Sequence, residues 1–300
     1  MTSGTLPPAP FGRVLTAMVT AFLDDGSVDV EGTARVAAHL VDHGNDGVVV
    51  SGTTGESPTT TTEEDGAILR AVIDAVGDRA TVVAGVGTNN TAHSVELAEQ
   101  AEKLGADGVL LVTPYYNKPS QQGVLAHFRA VAGASALPVM LYDVPPRTVT
   151  RIALPTYEAA REIENIVAVK DATGDLPGAA RLADLGYAVY SGDDAATLGY
   201  LAYGAVGVVS VVGHAAGTQL HAMADAFLAG DPAEALRIHR ALTPAFDAVM
   251  GVPNYGATTA KAVMQLLGVL DNRNVRGPLV PLDDDEVAAL RAGLAASDLI

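Results

Sequence analysis

The sequence predicts an α/β fold, a (β/α)8 TIM barrel with a C-terminal helical appendage. Three observations support this prediction: the chain has 300 residues, short apolar runs of strand length recur along it, and helical patterns separate most of these runs. A parallel strand that is buried on both faces has such a continuous apolar composition. Eight of these runs in alternation with helices favour a barrel.

The eight predicted strands lie at 14–20, 47–52, 81–86, 108–113, 138–142, 166–170, 188–191 and 206–211. A Gly-x-Asp-Gly phrase introduces the second and fourth strands, and a fainter version precedes the eighth. In each phrase a glycine ends a helix and a buried strand follows within a few residues. The repetition therefore indicates successive β-α units.

Helix starts carry capping side chains. The first helix is predicted at 29–42, a Thr-x-x-Glu box lies within 60–64, and Asn90 and Ser120 precede two further helices. These short polar side chains accept hydrogen bonds from the N–H groups that a helix leaves unpaired at its start. After the eighth strand only helical patterns follow, at 219–228, 231–249 and 255–267.

This pattern predicts three parts, a flexible N-terminal tail at 1–12, the barrel at 13–228 and a C-terminal helical region at 229–300. The tail is rich in proline and lacks the basic and apolar regions of a signal peptide. An open doubly wound sheet is the alternative architecture. Its dinucleotide-binding fingerprint is incomplete here, because Gly85 and Gly87 are not followed by the third glycine. We expect no bound cofactor.

Composition limits the classes of partner that the chain is expected to bind. The formal charge of −17 and the sequence pI near 4.6 predict repulsion from nucleic acids and from anionic lipid surfaces. The absence of cysteine excludes disulfides and cysteine nucleophiles, and the seven scattered histidines show no metal-ligand spacing. The apolar runs are too short to span a membrane. These observations predict a cytoplasmic protein that acts on small molecules.

The ends of the predicted strands carry the candidate chemistry, because the reacting groups of a (β/α)8 barrel gather at the carboxyl ends of its strands. Hydroxyl groups, one lysine and one arginine are found there: Thr53 and Thr54 after the second strand, Tyr116 after the fourth, Tyr142 and Arg147 after the fifth, and Lys170 at the end of the sixth. Asp193 and Asp194 follow the seventh strand and disfavour a phosphate site.

Lys170 taken alone is best interpreted as a solvated strand end, but the polar groups at the other strand ends make it the candidate nucleophile. A lysine amine attacks a carbonyl only when it is neutral, and burial can lower its pKa by about three units. The resulting imine needs proton transfer, for which Tyr142, Thr54 and Tyr116 are candidates.

Two features suit carboxylate substrates. The glycines that flank Thr53 and Thr54 allow close approach of the backbone to a small carboxylate, although Gly-Thr-Thr-Gly could also be a simple strand-to-helix turn. Arg147 could lie on the surface; if it faces the strand ends, its planar guanidinium suits a second carboxylate.

The motifs together resemble the dihydrodipicolinate synthase and N-acetylneuraminate lyase superfamily of Schiff-base aldolases, over nearly the whole chain. They stand in the family's order and spacing: Gly52–Ser57, Pro114–Pro119, Tyr142–Arg147, Lys170–Gly174 and Ser191–Asp194. Thr53, Thr54 and especially Arg147 resemble the branch that condenses pyruvate with aspartate 4-semialdehyde on the diaminopimelate route to lysine.

The resemblance implies the roles of the site residues. Lys170 forms the imine with pyruvate, which is surrounded by Thr53, Thr54 and the backbone of Gly192 and Val209. Tyr142 relays protons with Thr54 and with Tyr116, which enters the site of a neighbouring subunit, and Arg147 receives the carboxylate of the semialdehyde. The family implies a homotetramer built from two tight dimers.

Two departures from the family pattern are visible. Asp143 stands where asparagine is common, which we do not expect to change the function. Lysine-inhibited relatives bind lysine through residues that correspond to Ser57, Asn89 and Tyr115, which are kept, and through histidines and a glutamate. In this chain the positions of those histidines and of the glutamate hold Thr62, Asp65 and His93. Because the glutamate that would pair with the ammonium groups of lysine is missing, we expect weak or absent inhibition by L-lysine.

Two alternatives remain open from the sequence. Another pyruvate-dependent aldolase, which cleaves N-acetylneuraminate or a 2-keto-3-deoxy sugar acid, would use the same lysine and tyrosine but would not require Arg147. A catalytically silent barrel that binds keto acids is the alternative of a different class, and it leaves the set of Lys170, Tyr142, Thr54 and Tyr116 unexplained.

Overall fold

A computed structural model describes residues 8–253 and 255–300. Eight parallel strands form a closed barrel in chain order. Their bounds are β1 Val14–Ala17, β2 Gly47–Val50, β3 Thr81–Gly85, β4 Gly108–Val112, β5 Val139–Asp143, β6 Ile166–Asp171, β7 Ala188–Ser191 and β8 Gly207–Ser210. Every predicted strand is confirmed, and no strand extends more than one residue beyond its predicted range.

Helices separate the strands and continue after them. They are α1 Val30–Asp42, α2 Thr62–Val76, α3 Thr91–Leu104, α4 Gln121–Ala132, α5 Pro145–Thr148, α6 Leu154–Ala160, α7 Leu176–Asp184, α8 Thr197–Ala202, α9 Gly213–Leu228, α10 Pro232–Met250, α11 Ala257–Leu266 and α12 Asp284–Ala296. A short 3-10 turn spans Ser57–Thr59. None of the helices in the described ranges combines the length and the apolar composition that crossing a membrane requires.

The predicted caps are present. Thr61 and Glu64 form a reciprocal capping box at the start of α2, and the side chains of Asn90 and Ser120 cap α3 and α4. Gly105 ends α3 in the left-handed region, with a φ of +88°. Glycine adopts this conformation without the steric cost that a Cβ atom imposes, which explains why the repeated glycine phrase marks the boundary between helix and strand.

The chain forms two compact units. The first unit contains 83–209 and the described residues up to Arg13. Within it, β4, β5, β6 and β7 pair in parallel, and the register sets Tyr142 of β5 beside Lys170 of β6 and Asp143 beside Asp171. Because successive side chains of a strand point to opposite faces, Tyr142 and Lys170 share one face of the sheet while Asp143 and Asp171 share the other.

The second unit contains 14–82 and 210–300. In it β1 pairs with β2, and the Thr16 hydroxyl donates to the Asn45 side chain at 2.6 Å. The three predicted C-terminal helices are confirmed, with α9 starting at Gly213 rather than at 219. The helix α12 lies in the predicted C-terminal helical region but beyond the individual helical patterns; its first turn carries three acidic residues, and Leu290 and Leu294 are its buried residues.

The predicted division into parts stays a prediction. The helices α10, α11 and α12 follow residue 228, where the C-terminal helical region is expected to begin. Most of the predicted flexible tail, residues 1–7, lies outside the described residues.

Candidate active site

Lys170 lies near the carboxyl end of β6 and is only 5% exposed. Its Nζ atom lies 4.3 Å from the centroid of the Tyr142 ring. This contact follows from the register, which places the two residues side by side on neighbouring strands. A buried amine next to a tyrosine side chain suits imine chemistry, in which a nearby hydroxyl group transfers protons.

The surroundings of Lys170 favour its neutral form. Burial is the largest effect and lowers the pKa of the amine, the carboxylate of Asp194 raises it and the positive charge of Arg147 lowers it, so that the resulting pKa is about 8. At this pKa about one tenth of the amine is neutral at pH 7, compared with less than one in a thousand for an ordinary lysine. Lys170 therefore has the reactivity of a nucleophile at neutral pH.

Gly192, directly after β7, leaves room for the lysine side chain. A Cβ atom at this position would come within 3.2 Å of Lys170 Cε and within 2.8 Å of the Ala172 Cβ atom. The Gly192 N–H donates to the Asp171 carbonyl at 2.7 Å, which ties the end of β7 to the end of β6. A larger residue would clash with Ala172 and crowd Lys170, which explains why glycine fits this position. Val209 is buried in β8.

Arg147 and Tyr116 are exposed residues of the first unit. Arg147 lies in the short helix α5, close enough to Lys170 to affect the pKa of its amine. Tyr116 follows β4, is 87% exposed and adopts a left-handed backbone with a φ of +72°. This conformation is unfavourable for a residue with a large side chain, and it holds the phenol ring out in solvent.

Thr53 and Thr54 belong to the second unit, in the turn after β2. Thr54 is buried and Thr53 is exposed. Two hydrogen bonds close the turn, from Glu56 N–H to the Thr53 carbonyl at 3.1 Å and from Ser57 N–H to the Gly52 carbonyl at 3.3 Å. The predicted contacts of the two threonines with a keto acid stay a prediction.

A pair of carboxyl groups on the other face of β5 and β6 was missed by the sequence analysis. Asp143 is buried and accepts from the Ile152 N–H at 3.1 Å and from the Tyr157 hydroxyl at 3.2 Å, while Asp171 accepts from the Tyr200 hydroxyl at 3.1 Å. Burial raises the pKa of Asp143 to about 7. Strand alternation could have revealed the pair, because each residue follows a predicted site residue.

Comparison with known proteins identifies the family of the chain. The Dihydrodipicolinate synthetase family model matches residues 10–297. The chain is 58% identical to the 4-hydroxy-tetrahydrodipicolinate synthase of Acidothermus cellulolyticus, over 98% of this chain and 94% of that protein, and 53% identical to synthase 2 of Streptomyces coelicolor, over 99% and 98%. The lysine-bound structure of the enzyme from Cyanidioschyzon merolae matches with a TM-score of 0.93 and 41% identity, over 97% of this chain and 99% of that one. The chain therefore belongs to the dihydrodipicolinate synthetase family.

Proposed function

We propose that this chain is a lyase that condenses pyruvate with L-aspartate 4-semialdehyde to give 4-hydroxy-tetrahydrodipicolinate, in the diaminopimelate pathway to lysine. The observation that carries the proposal is the buried Lys170 amine, which has a pKa of about 8 and lies 4.3 Å from the centre of the Tyr142 ring. The family membership and the identity of 58% to a synthase of this name support it.

The chemistry begins with the neutral Lys170 amine. It attacks the keto carbon of pyruvate, and loss of water from the carbinolamine gives an imine. Removal of a methyl proton then gives an enamine, whose carbon attacks the aldehyde of the second substrate. The amino group of that substrate next closes the ring by attacking the imine carbon and releasing Lys170. Atoms balance with water as the only other product, and no oxidant or reductant is needed.

Each proton transfer needs a weak acid beside the lysine. The Tyr142 hydroxyl group serves this purpose, because its ring already contacts the amine, and general acid–base help of this kind accelerates a step by about 10²- to 10⁴-fold. Thr54 and Tyr116 extend the relay. The exposure of Tyr116 suits a side chain that acts in the site of a neighbouring subunit, and we propose a homotetramer composed of two tight dimers.

The two carboxylates of the substrates are held by different groups. Thr53, Thr54 and the backbone of Gly192 and Val209 bind the carboxylate of pyruvate. Arg147 binds that of the semialdehyde, since its guanidinium can donate two parallel hydrogen bonds. The chemistry requires no metal or cofactor, and both substrates are small anions. The cytoplasmic location stays a prediction.

L-Lysine is expected to inhibit weakly or not at all. Thr62 and Asp65 stand where inhibited relatives have histidines, and Asp65 is buried and accepts from the Thr60 hydroxyl at 2.8 Å. His93 stands where they have the glutamate and lies 3.5 Å from Glu96. Loss of the glutamate removes the carboxylate that would pair with the ammonium groups of the effector.

A coupled assay tests the proposed reaction and separates it from the aldolases that act on sugar acids. Turnover of pyruvate with aspartate semialdehyde is followed through a reductase that consumes the product. We expect Arg147→Ala to raise the KM for the semialdehyde about 10- to 100-fold, because this is the effect of losing a charge-assisted hydrogen bond. The KM for pyruvate should change little.

Arg151→Ala is the matched control, because Arg151 is an exposed arginine of the same segment whose partner is Asp175, at 2.6 Å. It should leave both KM values unchanged. Preferential turnover of N-acetylneuraminate or of a 2-keto-3-deoxy sugar acid would instead favour the alternative aldolase.

A further inference from the structure

The second unit contains a buried ion pair that the proposed chemistry does not use. Lys261 of α11 and Glu56 have side chains that are each 1% exposed, and Lys261 Nζ lies 2.5 Å from Glu56 Oε1. Burying two charges costs free energy even when they are paired, so such a pair is weak evidence of a stabilising role. Its retention in a fully buried position calls for another explanation.

A network of contacts surrounds the pair. Lys261 Nζ also donates to the Asn274 carbonyl at 2.6 Å and lies 3.9 Å from the centre of the Phe22 ring. The backbone N–H of Arg276 donates to Glu56 Oε2 at 2.9 Å, so both carboxylate oxygens have partners. The Arg276 side chain in turn makes two hydrogen bonds to Glu64, at 2.6 and 2.8 Å. The carboxylate of Glu56 is thereby held from α11 and from the segment that follows α11.

The backbone of Glu56 is part of the turn that carries Thr53 and Thr54. Glu56 adopts a left-handed conformation with a φ of +60°, and its N–H closes the turn on the Thr53 carbonyl. The neighbouring Gly55 carbonyl accepts from the Thr20 hydroxyl at 2.8 Å. A residue with a Cβ atom holds this conformation only where its surroundings enforce it. Here the contacts of the carboxylate add to the backbone hydrogen bonds that Glu56 makes with Thr53 and Thr59.

We propose that Glu56 and Lys261 are positioning residues, which fix the Thr53–Thr54 turn in the geometry that receives the carboxylate of the keto acid. This inference rests on the proposed function for the identity of the ligand. Neither residue touches substrate. Their effect is to pre-order the backbone N–H groups and hydroxyls of the turn, so that binding pyruvate does not have to pay for ordering them.

Steady-state kinetics on three variants tests this role. Glu56→Gln keeps the shape of the side chain and an acceptor for Arg276, Lys261→Met keeps the volume of the lysine stem, and the double variant removes both charges together. We expect each variant to raise the KM for pyruvate at least tenfold, with kcat and the KM for the semialdehyde within threefold of wild type. The double variant should recover the melting temperature but not the KM, because it leaves no unpaired charge buried.

Asp283→Ala is the control for loss of stability alone. Asp283 caps α12 in the same unit through a reciprocal box with Glu286, so its removal should lower the melting temperature and leave the KM for pyruvate unchanged. A KM for pyruvate within twofold of wild type in both Glu56→Gln and the double variant would overturn the inference. An equal rise in Asp283→Ala would also overturn it.

Amide hydrogen exchange of the turn separates this inference from the proposed function. Residues 52–57 should exchange at least tenfold faster in the double variant than in the wild-type protein, and no faster in Asp283→Ala. This readout needs no substrate, so it tests the positioning role even if pyruvate proves not to be turned over. Unchanged exchange at 52–57 would show that the pair does not fix the turn.

Discussion

At the scale of single residues, the reactivity of Lys170 results from the balance of three effects on one amine. Burial and Arg147 lower its pKa, and Asp194 raises it, with a resulting pKa of about 8. Lys170 and Tyr142 were predictable from the sequence because both stand at strand ends, where a polar residue interrupts an apolar run. The contribution of Asp194 was not predictable, because it depends on the distance across folded loops.

The first prediction concerns the pH dependence of imine formation. The neutral fraction of an amine with a pKa of about 8 rises from about one tenth at pH 7 to about nine tenths at pH 9. The rate of adduct formation at low pyruvate concentration should therefore rise about tenfold over this interval and then level off. Asp194→Asn removes the carboxylate that raises the pKa, so it should move the rise to lower pH.

Single-turnover trapping at a series of pH values measures this dependence. An ordinary lysine would show a rate that still increases tenfold per pH unit beyond pH 9. Such a profile, or a rise that moves to higher pH in Asp194→Asn, would contradict the assigned environment of Lys170.

At the scale of elements, the alternation of side chains along β5 and β6 places two different sets of polar groups on the two faces of the sheet. Tyr142 and Lys170 face one side, while Asp143 and Asp171 face the other and line a cavity of about 280 Å³ together with Tyr157 and Arg151. The strands were predictable from their apolar composition alone. Alternation predicts that Asp143 and Asp171 share the other face, but their burial was not predictable, because the sequence does not show which residues cover that face.

The second prediction is that Asp143 makes folding stability depend on pH. Its pKa is raised from 3.8 to about 7 in the folded protein, so between these values the folded state keeps a proton that the unfolded state has lost. Stability contributed by this group therefore falls as pH rises from about 4 to about 7 and is constant above that. At about 1.4 kcal/mol per pH unit, the loss at pH 8 is on the order of 4 kcal/mol.

Asp143→Asn removes this titration and keeps an acceptor for Ile152 and Tyr157. We expect the variant to be more stable than the wild-type protein at pH 8, by a few kcal/mol, and to lose most of that advantage by pH 4.5. Urea unfolding at both pH values measures the difference. An advantage that is equal at the two pH values would show that Asp143 is ionised in the folded protein.

At the scale of the whole molecule, the sequence and the structure agree on a closed barrel of eight strands and differ in detail at the C-terminus. The barrel was predictable because the β-α units along the chain each consist of one apolar run and one helical pattern. The helix α12 was not, because Asp283, Asp284, Asp285 and Glu286 make its start resemble a solvated loop, and it buries only two side chains.

The proposed reaction requires that pyruvate form an imine with Lys170. Incubation of the purified protein with pyruvate and sodium borohydride, followed by peptide mass analysis, detects this imine as a reduced adduct. Lys261 is an internal control, because it is also buried and has a pKa of about 8 but is bound to Glu56. We predict one reduced pyruvate adduct on Lys170, none on Lys261 and none in Lys170→Arg. The absence of an adduct, or an adduct on another lysine, would contradict the account.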